Sequence, residues 1–330
     1  MKSKLLKLVA FFTLAVMMVA SVTGCAESKS AKSDKLQIVC TIFPEYDWVK
    51  EIIGADADWA EVSFLLDSGV DLHSYQPTSE DMAKISECDV FIYVGGESDG
   101  WVEDALADAT NKDMVVINLL ESLGDSVKEE EIVEGMEAEE EEGEEEEEGP
   151  EYDEHVWLSL KNAQTLVSVI SDKLSTADPD HKDTYKKNAD AYNAKLAELD
   201  AAYADAVSGA AVKTLVFGDR FPFRYMVDDY GLKYYAAFVG CSAESEASFE
   251  TVIFLAGKVD EEGISSVCKI ESGDGKLAQT IIDNTKSKDQ KVVTFNSLQS
   301  TMKSDIDAGV TYLSVMEKNL AALKDALGTK

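Results

Sequence analysis

Arginine is almost missing from this chain: Arg220 and Arg224 are the only two. Lys and Arg total 30 against 64 Asp and Glu, a formal net charge of −34. That balance excludes nucleic acid as a partner, because phosphate contacts need cationic side chains. Histidine is nearly as scarce, so any imidazole site must be drawn from His73, His155 and His181. The five cysteines include no CxxC pair. A disulfide framework or a zinc ribbon is therefore not indicated, and buried free thiols are the expectation for Cys40, Cys88, Cys241 and Cys268. There is no Walker loop and no Gly-x-Ser-x-Gly elbow, and Gly95-Gly96 after a strand reads as a turn. No apolar run after the first twenty residues is long enough for a membrane helix.

What is present begins with an export signature. Lys2, Lys4 and Lys7 precede an apolar stretch from Leu8 to Ala20, and Val22-Thr23-Gly24-Cys25 follows. A Cys directly after a small residue at the end of such a run resembles a lipoprotein processing box. The expected layout is a signal peptide over 1–24, lipidation of Cys25 and a flexible tether over 25–35. The mature chain would then sit outside the cytoplasmic membrane, held on its outer face by lipid.

The remainder alternates strand-like and helix-like runs. Apolar, β-branched stretches lie at Leu36–Phe43, Glu61–Leu66, Val90–Val94 and Met114–Leu119, with helical patterns between them, one capped by Thr78. This rhythm predicts a parallel α/β lobe over 36–125. A Glu-rich tract without Lys or Arg follows, and 126–154 is expected to be a disordered acidic loop. It would either solubilise the chain or collect cations near the site. No Gly interrupts Leu158 to Ser208, so 155–210 reads as a linking backbone helix, or two in near continuity. Strand candidates at Lys213–Phe217, Lys233–Phe238, Ile264–Ile270 and Lys291–Phe295, closed by a helix over Ser304–Leu327, predict a second α/β lobe over 211–330. The fold class is thus α/β: two Rossmann-like lobes with parallel sheets joined by a long helix, and the ligand site is expected in the cleft between them.

His73 lies in Gly69-Val70-Asp71-Leu72-His73-Ser74-Tyr75-Gln76-Pro77-Thr78 and His155 in Asp153-Glu154-His155-Val156-Trp157-Leu158. Both sit at loop-to-helix junctions, and imidazole is a common ligand for zinc and related ions. His181, among charged neighbours, is assigned to the solvated surface.

From about Leu36 to Leu327 the chain resembles the zinc- and manganese-binding receptors of bacterial ABC importers, the cluster A-I solute-binding proteins. The two histidine motifs carry the resemblance, with Asp229-Tyr230-Gly231-Leu232 and the stretch from Thr311-Tyr312 to Leu320. It implies that His73 and His155 are metal ligands. It also implies a non-enzymatic receptor that delivers zinc, or next manganese, to an ABC permease and its ATPase, and that works as a monomer. The second lobe departs from the family pattern. Arg220 falls where a His or Glu ligand is usual, and Asn296 where an Asp is. Asn296 can still offer a carbonyl oxygen, and Asp219 or Glu271 could supply the anion that a buried dication needs. Arg220 is expected to form a structural ion pair at the site, for instance with Glu271. Alternative readings are a receptor for a metal chelate, and an adhesion or scaffold lipoprotein that has lost transport.

Overall fold

In a computed structural model describing residues 35–137, 151–242 and 246–329, two four-stranded sheets of matching topology form the frame. The expected signal peptide, Cys25 and all of the expected tether but Lys35 lie outside the described residues. In the first sheet the order is β2 (Ala60–Phe64), β1 (Leu36–Cys40), β3 (Val90–Tyr93), β4 (Val115–Asn118). In the second it is β6 (Lys233–Val239), β5 (Thr214–Phe221), β7 (Ser266–Ile270), β8 (Lys291–Phe295). Every strand pair is parallel, as crossover helices require. All eight strands therefore end at the carboxyl edges where loops can carry function.

Local chemistry explains the helices of the first lobe. Helix α1 (Phe43–Ile53) starts with Pro44 in its first turn, and the Glu45 carboxylate accepts from the Thr41 and Ile42 N–H groups. Helix α2 (Ser79–Glu87) opens on the expected Thr78 cap. The Thr78 hydroxyl accepts from the Asp81 N–H, and the Asp81 carboxylate accepts from the Thr78 N–H, satisfying two otherwise orphaned donors. Short helices α3 (Val102–Ala107) and α4 (Leu119–Leu123) complete the lobe.

The expected backbone helix over 155–210 is a helical hairpin. Helix α5 (Leu160–Ala177) and helix α6 (Lys182–Ser208) are separated by a tight turn at Pro179–His181. The Asn193 amide donates to the Gln164 carbonyl and the Ser168 hydroxyl, so the arms run antiparallel. Pro179 after a fixed Asp178 is the physical cause of the reversal. His181 stacks flat on Trp59 at 4.0 Å and has a structural role at this turn. Helix α6 has 27 residues, roughly 40 Å at 1.5 Å per residue, and is the long helix that joins the lobes.

The second lobe adds α7 (Arg224–Tyr230), α8 (Phe249–Glu262) and α9 (Lys276–Asp283). The closing helix expected over Ser304–Leu327 is broken into α10 (Lys303–Asp307) and α11 (Tyr312–Leu327). Gly309, at φ +88°, sits at the break, a conformation that side chains with Cβ resist. Helix α11 ties the lobes: the Tyr312 N–H donates to Asp47, its hydroxyl to the Trp157 carbonyl, and the Tyr203 hydroxyl to the Met316 carbonyl. One apolar cluster runs without interruption from Ile38 in the first lobe to Phe295 and Leu323 in the second.

The acidic segment is not disordered throughout, as 126–154 was expected to be. Within it Glu129 and Tyr152 are bridged antiparallel, Glu137 is bridged to Phe238, and Asp153 and Glu154 are buried. Residues 138–150 lie outside the described residues. Among the described residues no helix is long and apolar enough to cross a membrane.

Candidate metal centre

The loops at the carboxyl ends of β2, β3, β6 and β8 converge with the segment that leads into α5. His73 sits in the tight turn Leu72–Ser74, whose first N–H groups are capped by Asp71. His155 stands just before the turn Val156–Leu158. The two Nε2 atoms approach to 3.1 Å, although the residues are 82 positions apart in the chain.

Hydrogen bonds on the far side of each ring set this geometry. His155 is fully buried, and its Nδ1 lies 2.9 Å from the Asp153 carboxylate, which also accepts the His155 backbone N–H. That contact places the proton on Nδ1 and leaves the Nε2 lone pair facing the cleft. His73 Nδ1 lies 2.7 Å from the Ser98 hydroxyl and 3.5 Å from Glu154. Burial, with His155 alongside, lowers the His73 pKa to about 3. Its ring is therefore neutral at physiological pH, the state a metal ligand requires. Glu154 accepts from the Ser98 N–H and lies over Gly96, where an added Cβ would fall 2.4 Å from its carboxylate.

The second lobe completes the cluster with two residues outside the expected site set. The Gln299 amide nitrogen lies 2.9 Å from His73 Nε2 and 3.0 Å from His155 Nε2. It is within hydrogen-bond reach of both rings, while its oxygen is buried without a partner. Cys241 follows β6, and its Sγ and one nitrogen from each ring all lie within 4.8 Å of one another. Gly240 makes this approach possible, since a Cβ there would meet His155 Cε1 at 2.8 Å. Burial, then the nearby acids Glu154, Asp153 and Glu130, push the Cys241 thiol well up. Cys40, Cys88 and Cys268 are buried free thiols as expected, whereas Cys241 is partly exposed.

The second-lobe residues expected to bind the ion make hydrogen bonds that shape these loops. The Asn296 side chain accepts from the Leu298 N–H, stabilising a turn in which Leu298 has φ +65°. Glu271 accepts from both the N–H and the hydroxyl of Ser297. Asp219 accepts from the Arg220 and Ile270 N–H groups, at the point where the β5–β6 register shifts. Neither acid belongs to the His73–His155–Cys241 group. Burial raises both carboxyls above their ordinary values. Arg220 does form an ion pair, but with Asp71 rather than Glu271, and it also donates to the Ser242 carbonyl. It thus holds the His73 loop against the Cys241 loop across the lobes. Burial would raise the Asp71 carboxyl, but Arg220 and His73 together bring it below its ordinary value. A cleft of about 850 Å³ opens beside the cluster, lined by Asp71, Ser74, Arg220, Ser242 and Ser300 among others.

His73, His155, Cys241 and Gln299 converge between two α/β lobes, the layout of a two-lobed solute-binding fold. Residues 38–326 match the family described as ZnuA, zinc-uptake complex component A, periplasmic, and the chain belongs to that family. It is 37% identical over 303 residues to the zinc-binding lipoprotein AdcA of Streptococcus pneumoniae (strain ATCC BAA-255 / R6), covering 91% of this chain but only 57% of that relative's length. To the high-affinity zinc uptake system protein ZnuA of Bacillus subtilis (strain 168) it is 32% identical over 313 residues, covering 94% of this chain and 92% of that protein. Its fold is similar to the crystal structure of the Zn(II)-bound ZnuA-like domain of Streptococcus pneumoniae AdcA. The TM-score is 0.68 at 34% identity, covering 89% of this chain and 99% of that one.

Proposed function

We propose that this chain is an extracytoplasmic receptor that captures zinc between its lobes and delivers it to an ABC permease and its ATPase. The observation that carries the reading is the convergence of two oriented imidazoles at 3.1 Å, each held from behind. A dication bound to two Nε2 atoms at about 2.0–2.1 Å needs them roughly 3.3 Å apart in tetrahedral geometry. The names of the zinc-binding relatives support the choice of metal. In this reading the chain works as a monomer, captures and releases its cargo without making or breaking a covalent bond in it, and is tethered by acylated Cys25. The N-terminal lobe (36–125), linker (155–210) and C-terminal lobe (211–330) are its working parts. The continuous core across both lobes favours release through loop movements rather than a wide hinge.

Calorimetric titration of the metal-stripped full chain tests this. Saturable binding of one zinc, abolished by His73→Ala, is expected; zinc binding that is unsaturable or indifferent to that substitution overturns it. Mass analysis of membrane-extracted protein tests the anchor, since the acyl mass should vanish with Cys25→Ala.

A further inference from the structure

The expected ligand positions in the second lobe are occupied by an arginine and by loop-shaping groups, yet two other donors reach the histidines. We propose that Cys241 Sγ and the Gln299 amide oxygen are the second lobe's ligands, and that the thiolate tunes the receptor to thiophilic d¹⁰ cations over manganese. This rests on the metal-capture reading above.

Three independent features carry it. First, Sγ already lies within 4.8 Å of the histidine nitrogens. Tetrahedral bonds of about 2.3 Å to sulfur and 2.0–2.1 Å to nitrogen need separations of roughly 3.3–3.6 Å, so a shift of about 1 Å in one loop completes the contact. Second, Gln299 is 4% exposed, and its oxygen is a buried acceptor with no partner. Its amide nitrogen lies 2.9 Å from His73 Nε2 and 3.0 Å from His155 Nε2, a spacing close to that between ligands of one ion. Rotation of the amide by half a turn would bring the oxygen to that ligand position and give a buried, partnerless acceptor an ion to bind. Third, Arg220 cannot be a ligand, and it secures the Cys241 loop through the Ser242 carbonyl while neutralising Asp71.

The charge also works out. On binding, the Cys241 thiol gives its proton to solvent and its lone pair to the ion, so the first shell lowers the charge by one. Asp153 and Glu154, behind the imidazoles, offset the rest. A carboxylate in place of the thiolate would suit manganese; sulfur does not.

Cobalt(II) is the probe, added to the full chain after reduction and metal stripping. The expected result is stoichiometric binding with tetrahedral visible bands and a near-ultraviolet sulfur-to-cobalt charge-transfer band. Cys241→Ser should remove the charge-transfer band and weaken zinc on the order of 100-fold, while manganese changes less than about threefold. Cys241→His should restore much of the zinc affinity without that band, separating a lost ligand from a damaged fold. Saturable metal binding without the band, or an unchanged zinc-to-manganese ratio in Cys241→Ser, overturns this assignment and leaves metal capture standing. No saturable binding of cobalt or zinc by the unmodified chain overturns both.

Discussion

The two halves of the proposed metal centre are built differently. The first-lobe half is anchored from behind: Asp153 and the pair Ser98 and Glu154 orient the two imidazoles. Deeper still, Glu45 and Asp99 are buried acids close enough to interact, and Asp99 in turn feels Glu154. The second-lobe half hangs on loops after β6 and β8, shaped by Asn296, Glu271 and the unusual backbone at Leu298. A prepositioned pair of nitrogens can recruit an ion, and adaptable loops can then close on it. Affinity should therefore depend most on the first half, and discrimination on the second.

The largest expected effect is His155→Ala. It removes a ligand and strands the Asp153 carboxylate, so zinc affinity should fall on the order of 1,000-fold, about 4 kcal/mol by calorimetry. A small loss would erase the distinction between the halves.

Next comes the acid cluster behind the first half. Burial, reinforced by Asp99, pushes the Glu45 carboxyl from its usual 4.5 up to about 8. Its folded pKa exceeds its unfolded one, so between those values the folded chain holds a proton that the unfolded chain releases. Stability from this group is fully present below about pH 4.5 and is lost as pH rises towards 8. Glu45→Gln should flatten that decline, by on the order of a few kcal/mol, in chemical denaturation at a series of pH values.

Arg220→Leu should cost about 2 kcal/mol of stability, because Asp71 is left partly buried without its cation. It should also speed zinc release, seen by transfer to a chromogenic chelator. The smallest effect is Gln299→Ala, expected to weaken zinc about tenfold, roughly 1.4 kcal/mol, with little change in stability. A greater loss than in His155→Ala would invert the comparison.

The same contrast governs what could be read from the chain. His73 and His155 stood out in the sequence because each lies in a short local motif with a carboxylate two residues away, Asp71 or Asp153, that accepts its backbone N–H. The parallel sheets were legible from strand spacing. The hairpin at Pro179 was less so, since a helical pattern does not reveal whether two helices continue or fold back. Gln299 and Cys241 were hidden because tertiary topology, not local pattern, brings them to the histidines. Gln299 lies only three residues beyond Asn296, and the turn at Leu298 that directs it to the histidines has no clear sequence mark. Cys241 did carry a faint signal. It follows Gly240 at a strand's end, where a missing Cβ allows close approach, whereas Cys40 and Cys268 lie within strands.

X-ray absorption at the zinc edge of the loaded full chain tests the divided site most directly. It should show nitrogen and oxygen scatterers at about 2.0–2.1 Å, including two imidazoles, and one sulfur at about 2.3 Å that disappears in Cys241→Ser. A shell of nitrogen and oxygen alone in the unmodified protein, or one lacking imidazole, would contradict it.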